Sequence, residues 1–96
     1  MSQPNLPIFT ALGQQTRWRA FEVLLEHGEQ GLLQREIAAA LGIEKNLMSV
    51  HLRILKEADL VSAEKNGREV TYRVSPAAAR EAAETLLRTI DGGKAA

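Results

Sequence analysis

No cysteine occurs in the 96-residue chain, which removes disulfides, thiolate metal sites and thiol redox chemistry in one step. The two histidines, His27 and His51, stand far apart in sequence. Neither belongs to a nucleophile–base pattern, and no glycine-rich phosphate motif is present, so an enzyme is not expected. An excess of one charge is missing as well. Twelve basic and twelve acidic side chains cancel, so global charge does not point to a polyanionic partner. No long apolar run and no signal-like N-terminus appear, and a soluble, cytoplasmic chain is expected. There is no internal repeat, linker or low-complexity tract. The length suits one domain, 1–96, with residues 1–5 and 92–96 expected to be flexible.

What the chain does have is helical periodicity. Leu6–Leu12 offers Ile8, Phe9 and Leu12 for burial and is expected to end at Gly13 as a C-cap. Thr16 is suited to cap a second helix to about His27, in which Trp18, Phe21, Leu24 and Leu25 recur at helical spacing. Gly28 and Gly31 bracket a turn, and Leu32-Leu33 lead into Gln34–Leu41, whose apolar face is Ile37, Ala38 and Leu41. After the break at Gly42-Ile43, a helix from Glu44 to about Ala58 has two unlike sides. Met48, Leu52 and Leu55 make a core-facing stripe at i, i+4 and i+7. At about 100° per residue, Asn46, Ser49, Val50 and Arg53 gather on the opposite side. An alanine-rich helix, a glycine turn and an amphipathic helix form the pattern of a helix-turn-helix.

After Leu60 the period changes from 3.6 to 2. Taking Asn66-Gly67 as a two-residue turn pairs Lys65 with Arg68, Ala63 with Val70 and Val61 with Tyr72. That register puts Val61, Ala63, Val70, Tyr72 and Val74 on one face and gives the hairpin a basic tip at Lys65 and Arg68. Between Lys45 and Arg73 six basic residues face four acidic ones, a local excess of two. Ser75-Pro76 starts a last helix, expected to reach about Asp91 and to stop at Gly92-Gly93, with Ala79, Ala82, Ala83, Leu86, Leu87 and Ile90 in one stripe. The expected fold is mainly α with a small β-hairpin: a winged helix-turn-helix in the order α-α-α-α-β-β-α, dimeric through its terminal helices.

The outer side of the fourth helix bears the groups that read base edges in a DNA major groove. ALGQQTRWRAFEVL further resembles the "AL.DPTRLRIL" opening of the ArsR family of bacterial repressors, EIAAALGIEKNLMSVHLRILKEADLV its helix-turn-helix and SAEKNGREVTYRVSP its wing. The resemblance spans about residues 6–90. It implies a homodimeric repressor that binds a pseudo-palindromic double-stranded operator and is released by an inducer. Carried over by position, Lys45, Asn46, Ser49 and Val50 meet bases or nearby phosphates, with Arg53 beside them. Lys65 and Arg68 match wing positions near the backbone or minor groove. Asn46 suits adenine, Arg53 guanine or a phosphate, and Val50 a thymine methyl. Three departures stand out. Val50 stands where the family frequently has His, so a polar base contact is lost there. Glu44 occupies the usual Ser/Thr capping position, and Asp59 replaces the common glycine after the helix.

Metal-sensing members commonly use cysteines before the recognition helix, or His and carboxylates on the last helix. Here Leu32, Leu33 and Gln34 stand in the first place, and Glu81, Glu84 and Asp91 without His in the second. No metal or other cofactor is expected, and the effector is left open. Glu81 and Glu84 are read as a solvated face, His27 as a helix cap, and His51 as packing or touching phosphate. Leu6, Phe9, Leu12, Ala79, Ala83, Leu86, Leu87 and Ile90 are the expected dimer interface, with burial inside one protomer the alternative. Trp18 is assigned to core or dimer packing. The competing function is a winged helix for protein–protein assembly without base-specific DNA binding, which near-neutral charge would suit.

Overall fold

The computed structural model describes residues 6–95, with side chains to Gly92. Five helices and a small antiparallel sheet make up the described residues: α1 Leu6–Leu12, α2 Gln15–His27, β1 Leu32–Leu33, α3 Gln34–Leu41, α4 Lys45–Glu57, β2 Val61–Asn66, β3 Glu69–Val74 and α5 Pro76–Ala95. A single 3-10 turn, Gly28–Gln30, joins α2 to β1. Among the described residues no helix is long and apolar enough to cross a membrane.

Each boundary has a local cause. The cap of α2 is Gln14 and not Thr16: the Gln14 side-chain oxygen accepts the Arg17 N–H at 2.9 Å, so the helix starts before the threonine and encloses it. At α3, Glu36 reaches back to accept the Leu33 N–H at 2.8 Å, which is the return half of a capping box. Gly42, in the left-handed conformation, closes α3, and the Ile43 N–H reaches the Ala38 carbonyl at 3.0 Å. Asp59 takes the same role after α4 at φ 62°, with the Leu60 N–H bonded to the Leu55 carbonyl at 2.9 Å. Asp, among the residues most tolerant of that conformation, thus replaces the expected glycine without loss of the cap.

The hairpin register departs from expectation. Val61 pairs with Val74, Ala63 with Tyr72 and Lys65 with Val70, and the two-residue loop is Gly67-Arg68, with Gly67 at φ 61°. Glycine at the first loop position is what a type II′ turn requires. The pairing is shifted by two residues, which preserves the alternation, so the expected faces survive the wrong partners. The sheet also has a third strand. Leu32 pairs with Tyr72 and Leu33 with Thr71, giving the order β1-β3-β2.

The core lies where the helices converge on this sheet. Leu24, Ile37, Met48, Leu52, Leu55 and Leu60 are its largest fully buried side chains. From the expected α2 stripe only Phe21 and Leu24 are buried, and Trp18 and Leu25 remain exposed. Helix α5 commits Ala82 to the core, packs Ala78 and Ala79 against it, and leaves Leu86, Leu87 and Ile90 in solvent. It does not stop at Gly92-Gly93 but continues to Ala95. Each glycine costs a helix about 1 kcal/mol relative to alanine, which weakens it without terminating it.

Candidate nucleic-acid interface

Helix α4 divides as its sequence requires. Met48, Leu52 and Leu55 are wholly buried, and this anchoring fixes the rotation of the helix about its own axis. Lys45, Asn46, Ser49, Val50 and Arg53 all emerge on the exposed side. A carboxylate guards the N-terminus: the Glu44 side chain accepts the Leu47 N–H at 3.1 Å, satisfying one of the free donors of the first turn. Its negative charge suits the helix dipole and opposes a phosphate approaching the same end.

The wing brings a second group of cations to this surface. Arg68 sits in the hairpin loop, and it shares with Lys45 a cleft of about 360 Å³ that runs between α3, the start of α4 and β3. Lys65 is exposed on β2, outside that cleft. Arg35, from the first turn of α3, also lines the cleft, where its Nη2 and Nε lie 2.9 and 3.0 Å from the same oxygen of Glu69. Both partners are well exposed, so this ion pair contributes little stability. Its consequence is positional, tying the base of the wing to the helix-turn-helix. On the far side of the wing Arg73 donates to Glu64 at 2.7 Å and to the Glu29 carbonyl at 2.8 Å, bracing the hairpin against the 3-10 turn.

Behind α4, Arg17 donates through Nε to the Ala11 carbonyl at 2.7 Å and through Nη1 to Nδ1 of His51 at 3.2 Å. One guanidinium therefore joins α1, α2 and α4. Burial first, and the Arg17 charge second, hold the His51 imidazole below its ordinary pKa. His27 lies at the end of α2 with Nδ1 2.9 Å from the Val23 carbonyl.

Residues 14–69, from the cap of α2 to the first residue of β3, match the family model described as MarR family. Among curated relatives, the HTH-type transcriptional repressor SmtB of Mycobacterium tuberculosis is 36% identical over 76 residues, which is 75% of this chain and 56% of that protein. The chain thus spans little more than half the length of the curated relatives it matches. Among solved structures, an ArsR-like transcriptional regulator from Rhodococcus sp. RHA1 superposes with a TM-score of 0.80 at 28% identity, covering 95% of this chain and 83% of that one. The chain belongs to the ArsR family of winged helix-turn-helix transcriptional regulators. The homodimeric winged helix-turn-helix DNA-binding domain from Mycobacterium bovis, a possible ArsR-family regulator, shares the fold at TM-score 0.69 and 24% identity, covering 94% of this chain and 82% of that one.

Within this ArsR-family chain the expected dimer residues fall on two adjoining helices. Leu6, Phe9, Leu86, Leu87 and Ile90 are exposed, Ala83 is exposed, and Leu12 and Ala79 are half-buried. Half-exposed Trp18 joins them at an apolar groove between α1, α2 and α5, beside Phe9 and Ala83. Glu81 and Glu84 are exposed, and no cluster of three His, Cys, Asp or Glu side chains suited to a metal forms among the described residues. Two residues escaped the reading of the sequence. Arg35 enters the site only because the wing folds back on α3. Leu47, exposed on α4, had a signal in plain view: a leucine one position outside the buried stripe of a helix whose core side was already complete.

Proposed function

We propose that this chain is a sequence-specific DNA-binding transcriptional regulator, a homodimeric repressor of a pseudo-palindromic operator. The observation that carries this reading is the exposed face of α4. Asn46, Ser49, Val50 and Arg53 project from a helix whose other side is locked into the core, and Lys45 and Arg68 stand beside them at a shared cleft. Asn46 donates and accepts at an adenine edge, Arg53 bridges a guanine or holds a phosphate, Ser49 bonds either, and Val50 lies against a thymine methyl. Lys65 and Arg68 contribute mainly sequence-independent affinity through phosphates. The exposed apolar faces of α1 and α5 are the dimer surface, which sets the two recognition helices one DNA turn, about 34 Å, apart. Support for the two-fold assembly comes from the homodimeric state of the Mycobacterium bovis domain. Release depends on neither thiol nor metal chemistry.

Fluorescence anisotropy of the full chain with duplexes from the DNA upstream of its own gene tests this. Expected is tight, salt-sensitive binding to one duplex, lost on Asn46→Ala and Arg53→Ala. Equal, weak binding to all sequences, with both variants unchanged, would leave α4 a protein-assembly surface instead. Addition of Zn²⁺ should leave the affinity unchanged.

A further inference from the structure

Leu47 leaves half of its surface in water, 50% exposed, and Val50 is 40% exposed. They stand three residues apart on α4, so their side chains are neighbours on the helix surface and form one apolar patch across its first two turns. The fold makes no demand for leucine at 47. The inward direction of this turn is supplied by wholly buried Met48, and the Leu47 backbone N–H is already satisfied by Glu44. Two cations flank this patch along α4, Lys45 before it and Arg53 one turn beyond, and Lys45 shares a cleft with Arg68 of the wing. Arg35 in that cleft is paired with Glu69, and the Glu44 carboxylate is engaged as the helix cap. A patch so flanked fits a surface that is apolar at its floor and anionic at its walls.

A DNA major groove has those properties at defined places. The residues at the N-terminal end of a recognition helix enter the groove, phosphates form its walls, and the apolar group on its floor is the thymine 5-methyl. We infer that Leu47 reads thymine methyls together with Val50, so that Leu47 is a specificity-determining residue of this protein. The inference rests on the proposal that α4 reads DNA. Three residues of helix rise about 4.5 Å and successive base pairs about 3.4 Å, so the two side chains meet thymines at neighbouring steps. Each operator half-site therefore carries two closely spaced T·A pairs beneath the first two turns of α4. Asn46, between the cation and the patch, is placed to read an adjoining adenine.

Selection by the full chain from a random duplex library, followed by replacement of each selected thymine with deoxyuridine, isolates the methyl group without changing base pairing. The selected half-site should contain the paired thymines, and each contacted methyl should contribute about three- to fourfold in affinity. Leu47→Ala should weaken binding to the thymine duplex several-fold and abolish the thymine–deoxyuridine difference at one position. Val50→Ala should abolish it at the other. Alanine is a strong helix former at an exposed site, and unchanged far-ultraviolet circular dichroism checks the fold. Equal affinity for thymine and deoxyuridine duplexes overturns the inference, as does a Leu47→Ala variant that keeps both methyl contributions. Failure to select any sequence, with equal affinity for all duplexes, removes the DNA-reading proposal itself, whereas a selected half-site whose thymine and deoxyuridine forms bind equally removes only the role of Leu47.

Discussion

The Arg17 guanidinium and the His51 imidazole meet at 3.2 Å, and the direction of that hydrogen bond fixes the protonation of the ring. Arginine only donates, so Nδ1 accepts, and the neutral ring carries its proton on Nε2. Protonating His51 destroys the acceptor and sets two cations against each other. Among nearby elements α1 contributes no charged side chain to offset this, since its sequence is Leu-Pro-Ile-Phe-Thr-Ala-Leu.

Acid should therefore weaken the fold through this contact. The folded pKa of His51 lies below its ordinary 6.5, so the unfolded chain takes up the proton first. Stability is intact above about 6.5, falls as pH drops through the interval down to the lowered folded value, and levels off beneath it. Urea denaturation at pH 7.5 and pH 5 should show wild type losing more stability than His51→Gln. Identical losses would sever the link to His51. At the other extreme Tyr72 is pushed above its ordinary 10.0 by burial, so the unfolded chain ionises first and stability falls above pH 10. Tyr72→Phe should remove that alkaline component.

Gly31 predicts the largest single loss from a small change. Its φ is 71°, and a Cβ there would stand 2.6 Å from the Tyr72 carbonyl oxygen and 2.8 Å from the Arg73 Cγ. The close approach exists because β1 pairs with β3 immediately after this residue. Gly31→Ala combines backbone strain with a clash against a strand and should cost at least about 2 kcal/mol. Gly42→Ala, also at positive φ but with open space around it, should cost about 1 kcal/mol. Chemical denaturation of the two variants measures the difference, and equal losses would contradict the role of the strand contact.

These cases also mark what was legible before folding. The rotation of α4 was readable because Met48, Leu52 and Leu55 repeat at the helical period, and burial of one side dictates exposure of the other. The faces of β2 and β3 were readable even with the wrong register, since a shift of two leaves the alternation intact. Strand β1 was not, because two leucines have no period. The start of α2 was misplaced at Thr16, because threonine is a preferred cap and nothing in the local pattern shows that the Gln14 side chain takes the Arg17 N–H instead. Arg35 joined the candidate surface through a contact with Glu69 from 34 residues away, which local pattern does not encode. Helix α5 outran its glycines because their cost is graded.

The Arg35–Glu69 pair gives a prediction about affinity rather than stability. Glu69 neutralises a cation in the cleft that also holds Lys45 and Arg68, and it adds a negative charge facing the proposed phosphate path. Glu69→Gln should therefore strengthen DNA binding and steepen the logarithmic salt dependence by about one unit, as one more phosphate contact forms. Thermal stability should move by less than about 1 kcal/mol, given the exposure of both partners. Anisotropy titrations at several salt concentrations decide it. An unchanged slope would leave Arg35 a brace for the wing and nothing more.

Leu87 provides the sharpest test of the dimer surface. At 59% exposure it contributes little to the protomer core, so Leu87→Glu should leave the fold and its denaturation midpoint nearly unchanged. In a two-fold interface the same substitution acts twice, once from each protomer, and places like charges in a surface otherwise lined by Leu6, Phe9, Leu86 and Ile90. The dimer dissociation constant should rise at least about a hundredfold, corresponding to roughly 2.7 kcal/mol shared between two introduced carboxylates. Sedimentation equilibrium over a concentration series reads this directly. DNA binding should weaken in parallel, because each monomer then holds only half of an operator, and the loss should diminish as protein concentration is raised. A variant that remains dimeric at micromolar concentration would move the interface away from α5.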